Sequence, residues 1–247
     1  MELFEPVIRE LRSFIVETPH ARSWAGGPSR PWPRGGARNI VLKDDVGVEL
    51  GGPSGESLSC LVWTHDLPCI RDGCITLIGP DISECMGVGG PLGKVVLVGV
   101  EGFTGENAYE RHREMDLLRY DLDLKGFMIR AVSSRMSEWC RISRQAVRQG
   151  FSVQILGSSL MDLFRKKAYV KAVEVLFVTS SAHDLKRLES ITESTARTIS
   201  AMNKMAGEMR FDCEMCEYRD VCDDADALKK MRDAFMKRQQ EAENAGN

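Results

Sequence analysis

Cys213, Cys216 and Cys222 lie in the run Phe-Asp-Cys-Glu-Met-Cys-Glu-Tyr-Arg-Asp-Val-Cys, a Cys-x2-Cys-x5-Cys array near the C-terminus. Two thiolates separated by two residues converge on one metal ion or cluster after a single turn of chain, and a third, five residues on, closes a third corner. Iron–sulfur ligation ordinarily takes four thiolates, so the fourth position falls to another residue, a partner chain or an exogenous ligand. The plain alternative is three small apolar fillers. Glu214, Glu217, Arg219, Asp220, Asp223 and Asp224 surround the array, however, and are poor company for core packing. The expectation is therefore a 4Fe-4S cluster held by Cys213, Cys216 and Cys222. A zinc site on the same thiolates, with Asp212 or water as fourth ligand, is the alternative that spacing alone leaves open.

Other chemistry-bearing residues are more scattered. Cys69-x4-Cys74, with Cys85 nearby, is a second possible donor group. Cys74 alternates with Thr76 and Ile78, and Cys140 sits between Trp139 and Arg141, so both read first as strand residues filling a core. His65, His112 and His183 are isolated and form no His-x3-His pair, while Asp44, Asp45 and Asp81 read as turn residues. Arg111, Arg113, Arg119, Arg130, Arg135 and Arg141 could build an anion site, although an exposed helix face accounts for most of them. No Gly-x-Gly-x-x-Gly, Gly-x4-Gly-Lys-Ser/Thr or Gly-x-Ser-x-Gly motif occurs.

The chain of 247 residues has a formal net charge of −3, which supplies no excess of basic groups for nucleic acid. Eight cysteines and twelve methionines, behind an acidic N-terminus without an apolar signal segment, suit a reducing cytoplasm, and no apolar run reaches bilayer-spanning length.

The elements that must position these residues follow from periodicity. Residues 2–17 place Leu3, Val7, Leu11, Phe14 and Ile15 at helical spacing. Residues 18–38 are so rich in Pro and Gly that neither regular element is expected; Arg22, Arg30, Arg34 and Arg38 with Trp24 and Trp32 could hold an anion or flat ring, but a solvated linker is the simpler reading. Strands are expected at 40–42, 46–50, 58–63, 74–78, 94–100, 128–132, 139–142, 151–156 and 173–179, in a mixed or antiparallel sheet. Helices are expected at 105–124, from Ser143 as cap to Gln149, at 158–167, at 183–205 with Leu185, Leu188, Ile191, Ile199 and Met202 inward, and at 223–239.

The strings Gly47-Val48-Glu49-Leu50-Gly51-Gly52-Pro53, Asp72 to Ile82 and Gly89-Gly90-Pro91-Leu92-Gly93, followed in order by Gly126-Phe127, Trp139-Cys140-Arg141-Ile142-Ser143, Phe151 to Leu156 and Val173 to Thr179, resemble the middle domain of acetyl-CoA synthase. The likeness runs from about residue 40 to 222 and reaches Cys213 and Cys216, which match the Cys-x2-Cys that opens that family's cluster-binding motif. It implies an α+β fold with a central mixed β-sheet flanked by helices and a C-terminal cysteine-containing helical segment. The divisions it suggests are 1–38 as helix and linker, 39–206 as the middle-domain-like unit, and 207–247 as cysteine array and helix.

The chain departs from the family pattern in ways that bear on activity. The third cysteine comes earlier, the fourth, in a Cys-Gly pair, is absent, and Met128 stands where the family has an aromatic residue thought to lie near coenzyme A. Met115-Asp116 replaces an arginine pair. The expected role is an iron–sulfur accessory, scaffold or electron-transfer protein in anaerobic one-carbon and acetyl-CoA metabolism, not a complete acetyl-CoA synthase by itself. Its implied partners are a corrinoid protein, a carbon monoxide dehydrogenase-type subunit or a second copy. A catalytic protein using an open iron or recruited nickel, and a zinc-stapled interaction domain, are the alternatives.

Overall fold

In a computed structural model the chain is described at residues 3–25, 31–36, 39–52, 56–132, 137–207, 228, 230–234 and 236–237. Helix α1 (Glu5–Glu17) starts with Pro6 in its first turn, where a missing N–H costs nothing, and buries Val7, Ile8, Leu11, Phe14 and Ile15 along one stripe. Strands β1 (Ala21–Trp24), β2 (Val46–Leu50), β3 (Ser57–Thr64), β4 (Ile75–Ile78) and β5 (Leu92–Val100) precede helix α2 (Ala108–Leu117). Then come β6 (Phe127–Val132), β7 (Ser137–Ser143), α3 (Arg144–Arg148), α4 (Val153–Arg165), β8 (Val170–Val178) and α5 (Ala182–Gly207).

The fold is α+β with a central mixed sheet flanked by helices. Its five strands run in the order β1-β4-β8-β5-β3, with β4–β8 and β5–β3 parallel and β1–β4 and β5–β8 antiparallel. The nearly continuous apolar runs of β5 and β8 suit central strands covered on both faces. Alternation along the strands assigns those covers: Gly93 meets Leu185 and Leu188 of α5, and Glu174 meets Arg12 of α1, on one face. On the other face Gly157 of α4 packs on Ile75, so close that a Cβ would stand 2.9 Å from its Cδ1. A second, three-stranded antiparallel sheet, β2-β7-β6, completes the framework.

Five expectations are corrected. Residues 151–156 do not form a strand; α4 begins at Val153 because Ser152 caps it, its hydroxyl accepting from Ile155 N, while Asp81 Oδ1 accepts from Val153 N at 2.9 Å. Within residues 18–38, β1 does form, since a free edge of β4 is available: Ala21 pairs with Ile78, Trp24 with Ile75, and the Ser23 and Thr76 hydroxyls meet at 3.0 Å. Ile40 and Leu42 are exposed and outside any strand. The stretch 105–124 is helical only at α2 and a following 3-10 turn, Leu118–Asp121. On α5, Leu185, Leu188 and Met202 are buried as expected, but Thr192, Thr195 and Thr198 complete the inward stripe, with Ile191 and Ile199 at its border. Thr192 is tolerated there because its hydroxyl donates to Leu188 O at 3.0 Å.

Glu174, in the middle of β8, is 1% exposed and receives both guanidinium nitrogens of Arg12 at 2.5 Å. Arg71 adds its backbone N–H at 2.9 Å and its side chain at 2.8 and 2.9 Å. This carboxylate ties α1 and the segment after β3 to the central strand. Replacing it by Ala leaves Arg12 without its fork-shaped acceptor; because both arginines retain some solvent, the expected loss is about 2–3 kcal/mol, read by urea unfolding. Arg12→Lys, which keeps the charge but not the fork, should lose less.

Candidate functional site

Strand β7 has two chemically different faces. Outward, Arg141 is registered against Glu49 of β2 and Met128 of β6, and Trp139 against Arg130. Arg141 Nε donates to Glu49 Oε2 at 2.6 Å while its guanidinium lies over the Trp139 ring, 4.6 Å from the centroid. Burial alone would raise the Glu49 pKa, but the Arg141 hydrogen bond and the charges of Arg141 and Lys43 win and hold it below the ordinary value. Gly52 lets the chain pass here: a Cβ would stand 2.4 Å from Glu49 Oε1 and 2.9 Å from Trp139 Nε1.

Beside Glu49, β2 and the segment leading into β5 enclose a groove of about 550 Å³ lined by Val46, Gly47, Glu49, Gly52, Glu56, Gly87 to Pro91 and Ala182. Backbone pairing builds its wall: Gly87 N donates to Gly47 O at 3.1 Å, Gly90 N to Glu49 O at 3.2 Å and Gly51 N to Gly90 O at 2.9 Å. Gly89 has φ +69° and a Cβ there would sit 2.7 Å from Glu49 O. The strings beginning at Gly47 and Gly89, distant in sequence, thus form one glycine-walled groove.

Inward, Glu138 accepts both oxygen contacts from Lys94 of β5, and its Oε2 also accepts from Ser59 Oγ at 2.9 Å and from Arg119 at 3.5 Å. Arg119 donates further to Ser59 Oγ at 3.1 Å and pairs with Asp116. Burial disfavours the charged form of Lys94 and lowers its pKa, with the Glu138 carboxylate opposing. His112 is driven down to about 4, first by burial and then by Arg119, and its Nδ1 has no hydrogen-bond partner among the described residues. Burial pushes the Cys60 and Cys140 thiols up to about 12, far from thiolate ligands at neutral pH.

The three cysteines of the array, Cys213, Cys216 and Cys222, lie outside the described residues. Their flanks are placed: α5 reaches Gly207, with Asn203 Oδ1 accepting from Tyr109 of α2 at 3.2 Å, and helical residues Leu228 and Met231 are buried in the common core beside Gly105. Among the described residues no three His, Cys, Asp or Glu side chains converge as metal ligands. Cys69, Cys74 and Cys85 form no such group; Cys140 is buried within β7 as expected, while Cys74 is buried in the turn just before β4 and not in the strand.

The arginines expected to build an anion site or an exposed face divide instead. Arg119 is buried in the Glu138 cluster, Arg141 is bound to Glu49, Arg111 lies over Phe103 and Tyr169, and Arg113 and Arg130 are exposed; Arg135 lies outside the described residues. Trp24 and Trp32 do not share a site, since Trp32 Nε1 donates to Lys125 O and its ring packs on Phe151. Asp81 is a capping residue, as its turn reading implies. Periodicity passed over Lys94, Glu138 and Glu174, although a charge in the middle of an apolar run, such as Lys94 in β5 or Glu174 in β8, is itself a sign of a buried ion pair.

The model of the CO dehydrogenase/acetyl-CoA synthase complex beta subunit family matches residues 36–183. The chain belongs to this family. It is 30% identical over 174 residues to the acetyl-CoA decarbonylase/synthase complex subunit beta of Methanothermobacter thermautotrophicus, covering 69% of this chain and 36% of the relative. It is 28% identical over 185 residues to subunit beta 1 of Methanosarcina mazei, covering 72% and 38%. The carbon monoxide dehydrogenase/acetyl-CoA synthase subunit alpha of Moorella thermoacetica is 28% identical over 186 residues, covering 72% and 24%. The chain therefore spans little more than a third of the length of its first curated beta-subunit relatives. The beta-subunit family match includes the groove, the Glu49–Arg141 pair and the Glu138 cluster, and ends before the cysteine array.

Two outcomes follow from the buried groups. Lys94→Met leaves the buried Glu138 carboxylate with Arg119 at 3.5 Å as its remaining cationic partner and should cost about 3 kcal/mol, whereas Lys94→Met with Glu138→Leu should recover most of that loss in chemical unfolding. For His112, the unfolded chain takes up a proton below about pH 6.5 and the folded one only below about 4, so stability falls as pH drops through that window. The full effect is about 3 kcal/mol, and His112→Leu should flatten the pH dependence of the unfolding midpoint relative to the parent chain.

Proposed function

We propose that the chain is an iron–sulfur accessory or scaffold protein of anaerobic acetyl-CoA and one-carbon metabolism, with Cys213, Cys216 and Cys222 holding a 4Fe-4S cluster. The observation that carries this reading is family membership over residues 36–183, joined in one chain to a three-thiolate array. The donor set suits the group, because three closely spaced thiols can reach one iron centre together, and the charge of the bound iron holds them as thiolates against their acidic neighbours. Bound there, a cluster would supply electron storage and one iron open to a ligand from outside the array.

The described residues support an accessory role over complete catalysis. Arg141, on the sheet face that also carries Met128, is already engaged by Glu49. Buried Cys60 and Cys140 are poor donors for nickel, which needs ionised thiolates. A corrinoid protein or a carbon monoxide dehydrogenase-type subunit is the partner class, in keeping with relatives described as subunits of a complex. The reading places the protein in the cytoplasm, where a reducing medium preserves the thiols; among the described residues no helix is long and apolar enough to cross a membrane.

Anaerobically reconstituted protein is expected to carry about one cubane per chain or per shared pair, seen as matching iron and sulfide and a visible absorption band. Cys213→Ser and Cys216→Ser should each abolish metal retention while Cys140→Ser leaves it intact. Zinc without sulfide would establish the interaction-domain alternative, and acetyl-CoA formation from carbon monoxide, a methyl donor and coenzyme A by the nickel-treated chain alone would overturn the accessory role.

A further inference from the structure

We draw no further inference here: the strongest candidate, the cleft of about 1170 Å³ between helix α4 and the connection from α2 to β6, is lined among the described residues by as many lysine and arginine as aspartate side chains, so that nothing in the structure selects the charge or class of a ligand for it.

Discussion

The ion pair between Lys94 and Glu138 is the joint on which both sheets depend. Lys94 belongs to β5 of the five-stranded sheet and Glu138 to β7 of the three-stranded one, and both are nearly inaccessible to solvent. Two buried charges hold each other only if their remaining hydrogen-bonding capacity is also met, and Ser59 and Arg119 supply that from β3 and the turn after α2. The arrangement fixes how the second sheet sits on the first more sharply than apolar packing would, since a slipped register would leave a charge unpaired in a dry interior. The outward face of β7 inherits its position from this joint.

What stands on that outward face is correspondingly preorganised. Arg141 is held between Glu49 and the Trp139 ring, and Glu49 also borders the glycine-walled groove. The same strand therefore connects a buried structural cluster to a surface feature within a single alternation of side chains. Glu174 plays a separate part, on the opposite face of the central sheet, where it draws Arg12 and Arg71 inward and secures α1. Helix α1 and strand β1 lie before the family-matched residues, yet they cover one face and one edge of the shared sheet. An exposed sheet edge is a hazard for association, and β1 occupies that of β4.

Much of this was legible in the chain itself. The apolar stripe of α1, most of the strand runs and the Ser143 cap depend on neighbours a few residues away, which periodicity and residue chemistry report directly. The ordered glycine and proline strings identified the family-like framework. Tertiary structure decided the rest because the deciding partners are remote: β1 needs the edge of β4, and α4 extends back to Val153 because Ser152 and the distant Asp81 satisfy its first turn. Thr192, Thr195 and Thr198 face inward because α5 lies across the sheet, and local hydropathy cannot foresee that placement. The groove likewise exists only once backbone hydrogen bonds bring residues 47–52 and 87–91 together, and the charges at 94 and 138 become one interaction only when the two sheets meet.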